Sequence, residues 1–132
     1  MARVLGVGGI FFKSPDPVAL SAWYGEWLGF QLEGNGCAPF KPDQVPSGGY
    51  TVWSPFKEST DYFSPSKKEF MFNLMVDDLE GVLARAAEGG AEIIPKKEEG
   101  EYGRFGWFVD PEGTKVELWE PKEFDFEEGG GD

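Results

Sequence analysis

Residues 103–121 read "GRFGWFVDPEGTKVELWEP", and the turn inside this stretch decides how the chain folds. Asp110-Pro111-Glu112-Gly113 is a strong turn signal, with proline pre-set for the second position and glycine free to take a positive φ at the end. Apolar runs flank it, so residues 105–110 and 115–120 predict the two arms of a β-hairpin. Successive side chains in a strand point to opposite faces. Val116 and Leu118 therefore share one face, and Lys115, Glu117 and Trp119 share the other. A glutamate in the middle of so apolar a strand needs a partner or a task.

Working outward, two segments follow one plan with an offset of about 62 residues between their aspartates, Asp16 and Asp78. "GGIFFKSPDPVALSAWYGEWLGFQL" (8–32) opens on an apolar strand and turns at Ser14-Pro15-Asp16-Pro17. It continues with Leu20, Trp23, Tyr24, Trp27 and Leu28 at helical spacing. Asp16 suits an N-cap, Pro17 the first helical position and Gly29 the stop. "EFMFNLMVDDLEGVLARAAEGGAEI" (69–93) repeats this with a strand, a cap region at Asp77-Asp78, Leu79, Val82, Leu83, Ala86 and Ala87 at the same spacing, and Gly89-Gly90. Further strands are expected near 30–34 and 49–54 in the first half and at 92–95 in the second. The chain thus predicts an internal duplication of strand, helix, strand.

Alternation separates two sheet faces. Ile10 and Phe12, Phe72, Leu74 and Val76, and Val116 and Leu118 form a purely apolar one, which both amphipathic helices are expected to cover. The opposite parity holds Gly9, Phe11 and Lys13, then Met71, Asn73 and Met75, then Lys115, Glu117 and Trp119. That mixture is too apolar for a solvated face and too polar for a sealed core, and it suits a cavity wall.

With 132 residues the chain is long enough to bury about two-thirds of its unfolded surface around a single core. The 12 Phe, 5 Trp and 4 Tyr can line an interior as well as fill it. The 24 Asp and Glu against 12 Lys and Arg give a net charge of -12, which argues against nucleic acid and anionic membranes and favours a cationic or neutral partner. One cysteine, Cys37, allows no internal disulfide, and no signal peptide or membrane span is expected, so the sequence reads as a cytoplasmic protein. The absence of histidine removes the commonest general base and transition-metal ligand. Residues 123–132 form an acidic, glycine-rich tail with too little apolar surface to order itself. The segment "SPFKESTDYFSPSKKE" (54–69) reads as a linker, and Tyr62 and Phe63 would let it fold over a cavity as a lid.

The duplicated plan, "LSAWYGEWLGF" (20–30) after the first strand and above all "DPEGTKVELWEP" (110–121) resemble the vicinal oxygen chelate superfamily, which includes glyoxalase I, bleomycin-resistance proteins and extradiol dioxygenases. The resemblance covers about residues 4–121. It implies one α+β domain over 1–122, built of two βαβββ modules at about 4–54 and 69–121 with a linker at 55–68. These would form a partly closed, curved mixed sheet around a cavity, helices outside, commonly in a homodimer. In metal-using members each module's first strand offers a ligand, and the second module's last strand a glutamate. The corresponding positions here are Gly9, Met71, Thr51 or Trp53, and Glu117. Only Glu117 suits a divalent cation, so no cofactor is expected.

The candidate ligand-binding residues are Phe11, Trp53, Asn73, Arg104, Trp107 and Trp119, with Glu117 and Tyr102 as candidate catalytic groups. Glu117 has three open readings: an ion pair with Lys13, Lys115 or Arg104, a ligand-binding or proton-shuttling carboxylate, or a metal ligand. Arg104 could clamp a substrate anion and Tyr102 donate to an oxyanion, or Arg104 could pair on the surface with Glu98, Glu99 or Glu101. The resemblance implies two kinds of function, a lyase or isomerase acting on a carbonyl compound, or a bleomycin-resistance type of protein that sequesters a cationic drug without chemistry.

Overall fold

A computed structural model describes residues 2–5 and 7–122. The chain is α+β, with two helices and a four-stranded, curved mixed sheet that does not close into a barrel. Helix α1 spans Pro17–Leu28, β1 Phe72–Met75, α2 Leu79–Glu88, β2 Glu92–Gly100, β3 Gly103–Val109 and β4 Lys115–Pro121. The strand order is β1-β4-β3-β2, with β1 parallel to β4 and the other pairs antiparallel. The second module is thus a complete βαβββ unit.

Both helices start and stop as their sequences dictate. Asp16 accepts from the Ala19 amide at 3.1 Å with Pro17 at the first helical position, and Gly29 ends α1 at φ 76°. Asp78 caps α2 through the Gly81 amide at 3.1 Å, and Glu120 adds a second acceptor for the Leu79 amide at 2.9 Å. The helices lie on the apolar face of the sheet. Leu20 and Tyr24 of α1 and Leu79, Leu83 and Ala86 of α2 pack with Phe108, Val116 and Leu118, which are 0% exposed. Burial of each such large side chain stabilises by about 2 kcal/mol. Gly106 lets the sheet approach α2, since a Cβ there would lie 3.0 Å from Leu83 Cδ1. At the tight β2–β3 turn, Gly103 has φ 130° and any Cβ would collide with the Glu120 carbonyl.

The first half departs from the expected second βαβββ unit. It supplies α1 and a short 3-10 turn at Pro42–Gln44, and no strand among the described residues. The segments expected to be strands at 9–13, 30–34 and 49–54 run without a ladder. Glycines at 8, 9, 34, 36, 48 and 49 and prolines at 39, 42 and 46 weaken strand propensity and remove ladder donors. Phe12 still reaches the sheet, with its ring centroid 4.8 Å from that of Phe72. Ile10, expected on the helix-covered face, is exposed instead. The acidic tail at 123–132 lies outside the described residues.

Candidate functional site

The alternation in β4 places Glu117 on the face opposite Val116 and Leu118, and the register extends it into a row. Asn73 of β1 and Trp107 of β3 are its cross-strand partners on either side. Directly opposite residues share a sheet face, so all three side chains converge. Asn73 Nδ2 donates to Glu117 Oε1 at 2.6 Å and Trp107 Nε1 donates to Oε2 at 3.0 Å. The Tyr62 hydroxyl donates to Oε2 as well. Three donors therefore hold one carboxylate, and Glu117 is only 8% exposed.

Tyr62 comes from the 54–69 segment, which folds over the Glu117 face as the lid reading anticipates. Its ring stacks on Phe56 at 5.6 Å, and Lys115 pins its backbone by donating to the Tyr62 carbonyl at 2.7 Å. Burial, then the hydrogen bond to Glu117 and that residue's charge, drive the Tyr62 phenol well above its usual range. Lys115 is 9% exposed. Burial holds its ammonium pKa below the usual lysine value, with Lys96 acting the same way and the Glu117 and Asp61 charges opposing. No ion pair to Glu117 forms within 4 Å among the described residues, so of its three readings the ion pair with Lys13, Lys115 or Arg104 does not form, and hydrogen bonds hold the carboxylate.

A cavity of about 170 Å³ opens beside this cluster, lined by Asp61, Tyr62, Ile94, Lys96, Trp107 and Lys115. A wider groove of about 520 Å³ lies on the helical side of the sheet, where Trp27 carries the Arg85 guanidinium over its ring at 5.1 Å. The chemistry of the sheet's other face, with Glu117 and its aromatic neighbours, makes the smaller cavity the candidate site.

The remaining sequence candidates scatter. Trp119 lies along the same face, donates to the Tyr102 carbonyl at 2.8 Å and packs edge-on against Tyr50 at 5.0 Å. Arg104 binds Glu80 of α2 at 2.8 Å and approaches Glu120 at 3.6 Å, so its surface partners are these and not Glu98, Glu99 or Glu101. Lys97 also binds Glu80, at 2.7 Å, and together the two cations lower its carboxyl pKa, Lys97 leading. Tyr102 stands exposed at the β2–β3 turn. Phe11 and Trp53, in the first half, are 95% and 79% exposed, and among the described residues neither joins the hydrogen bonds that hold Glu117. Lys115 and Tyr62, which the sequence offered only as a possible partner and a possible lid, are the groups that complete the cluster.

A βαβββ unit with a glutamate in its last strand, on the face away from the helices, is what the resemblance stated above implies. The chain belongs to the glyoxalase-like domain family, whose profile matches residues 9–119, in keeping with the resemblance to the vicinal oxygen chelate superfamily. The matched span includes the strandless first half. Among solved structures, the chain is similar to TnmS3, an antibiotic binding protein from Streptomyces sp. CB03234, with 19% identity and a TM-score of 0.55 over 92% of this chain and 100% of that one. It is also similar to TioX from Micromonospora sp. ML1, with 18% identity and a TM-score of 0.50 over 83% and 93% of the two chains. No curated protein matches it at a significant level. No helix among the described residues is long and apolar enough to cross a membrane.

Proposed function

We propose that the protein is a cytoplasmic small-molecule-binding protein that sequesters an aromatic ligand between the Glu117 face and the Tyr62 segment, without chemical turnover. The observation that carries this is the closure of Glu117, whose two oxygens accept from Asn73, Trp107 and Tyr62. A carboxylate so engaged organises the wall of a site. To act as a general base in a lyase or isomerase it would first have to release Tyr62. The likeness to an antibiotic binding protein supports the same reading.

The residues present do not fit the divalent metal that the superfamily implies. Gly9, Met71, Thr51 and Trp53 offer no hard anionic donor, and Glu117 has its oxygens committed to protein donors. Among the described residues no three His, Cys, Asp or Glu side chains gather into a metal-binding group.

The test is equilibrium dialysis against a panel of aromatic antibiotics, with recovered ligand checked by mass spectrometry. At least one complex with a Kd of about 10 μM or tighter is expected, its ligand chemically intact. Tyr62→Phe should weaken that complex about fivefold, the effect of one lost hydrogen bond. A ligand returned cleaved or isomerised would assign the site to a lyase or isomerase instead.

A homodimer belongs to the same proposal. Val4, Leu5, Phe11, Val52 and Trp53 of the first half all stand exposed, and apolar side chains gathered on one face favour burial against a partner. A second copy of the chain would cover these side chains. Sedimentation equilibrium is expected to yield twice the chain mass, with association strengthened by salt because each copy carries -12. Phe11→Ser with Trp53→Ser should give a monomer, and a wild type that sediments as a monomer would remove the proposal.

A further inference from the structure

The net charge of the chain points to a cationic ligand, but the groups that line the cavity point the other way. Lys96 and Lys115 both direct their ammonium groups at the Trp107 ring, each 5.7 Å from its centroid, and Lys115 lies 5.1 Å from the Tyr62 centroid. An ammonium has three donors. Lys115 spends one on the Tyr62 carbonyl, and no carboxylate lies within 4 Å of it among the described residues. Lys96 pairs with Glu98 at 3.1 Å, both side chains being more than half exposed, so this pair is weak and exchangeable.

The acids nearby leave this imbalance in place. Glu117 is behind the cavity wall with both oxygens occupied by Asn73, Trp107 and Tyr62. Asp61 also lines the cavity, and it is exposed to solvent. The buried polar group at the cavity with capacity to spare is a donor, Lys115, while the Asp61 carboxylate is exposed and solvated. Beside it lie Ile94, the indole of Trp107 and the Tyr62 ring, surfaces that suit a planar apolar body.

We propose that the cavity recognises an aromatic carboxylate, its anionic group taken by Lys115 with help from Lys96 and its ring held by Trp107, Tyr62 and Ile94. This rests on the small-molecule-binding reading above and adds the sign of the ligand's charge. A charge-assisted bond to a carboxylate is about twice as strong as a neutral one, so the acid gains over an uncharged isostere of the same shape.

The test is calorimetric titration with 2-naphthoate, methyl 2-naphthoate and 2-naphthylmethylammonium. The acid should bind at least about tenfold more tightly than the other two, equal to about 1.4 kcal/mol. Lys115→Gln keeps a donor for the Tyr62 carbonyl and removes the charge. It should cut the preference, read as the ratio of acid to ester affinity, to about twofold. Lys96→Gln, at the exposed rim and safe for folding, should cut it about threefold. Equal affinity for acid and ester, tighter binding of the ammonium compound, or a preference unchanged in both variants overturns the charge assignment and leaves the binding reading standing. If none of the three probes binds, the charge assignment falls, and the dialysis against aromatic antibiotics decides the binding reading.

Discussion

Glu117→Leu is expected to destabilise the protein by about 3 kcal/mol and to release the 54–69 segment from the sheet. The side chain's volume is nearly kept, so the loss comes from three stranded donors. Trp107 is 3% exposed, and its Nε1 would have no acceptor, a cost of about 1–3 kcal/mol. Tyr62 would lose the hydrogen bond that closes it onto the face, while Asn73, exposed at the edge strand, can turn to water at little cost. Glu117→Gln retains one acceptor oxygen but weakens the charge-assisted bonds and points an amide N–H₂ toward donors, so about 1–2 kcal/mol is expected. A functional carboxylate with no structural partner, one of the three readings open from the sequence, would lose under about 1 kcal/mol on this change. Urea unfolding measures the difference, and limited proteolysis within 54–69 should be faster in the leucine variant. Wild-type stability in Glu117→Leu would show that the carboxylate does not clamp the site.

What the sequence discloses and what it hides divide along the range of the interaction. Helix ends are set by neighbours a few residues away, so Asp16, Pro17 and Gly29 locate α1 to the residue. The hairpin turn is equally local, with the Gly113 amide donating to the Asp110 carbonyl at 2.9 Å. Strand parity in β4 correctly sends Val116 and Leu118 to the core and Glu117 away from it, because period-two alternation needs no knowledge of the partner strand. Trp107 is harder. Its strand carries Gly103 and Gly106, which show no side chain by which to read a face, and only the register opposite Glu117 settles the matter. Tyr62 meets Glu117 across 55 residues, and Arg104 finds Glu80 on the helix 24 residues before it. Such contacts depend on where the chain returns to, which no local pattern encodes. The first half fails for a related reason, since its alternation is real but a ladder requires a second edge, and glycines and prolines leave little intrinsic preference to hold a strand without one.

The same logic singles out Asp110, whose replacement by alanine should cost about 4 kcal/mol of the 5–15 kcal/mol typical of a whole domain. Asp110 is 4% exposed and accepts three bonds, from the Glu112 and Thr114 amides at 2.9 Å each and from the Tyr24 hydroxyl at 2.8 Å. The first two shape the turn on which β4 depends, and the third ties α1 to it across 86 residues. Alanine leaves two turn amides and a buried phenol unsatisfied, each costing about 1–3 kcal/mol before relaxation. The tie also imposes a pH dependence. Burial first, and then the Asp110 carboxylate, drive the Tyr24 phenol far above its ordinary 10.0. The folded chain therefore keeps this proton where the unfolded chain loses it. Its contribution is complete below pH 10 and declines above it by about 1.4 kcal/mol per pH unit until the folded phenol ionises. Tyr62 adds a smaller loss of the same sign, because solvent reaches its ring and screens it. Urea midpoints measured from pH 8 to 11.5 should fall steeply beyond pH 10 in the wild type. Tyr24→Phe should start lower at pH 8 and fall less steeply, by about 1.4 kcal/mol per unit, whereas parallel curves would mean that Tyr24 ionises as freely in the folded protein as in the unfolded one.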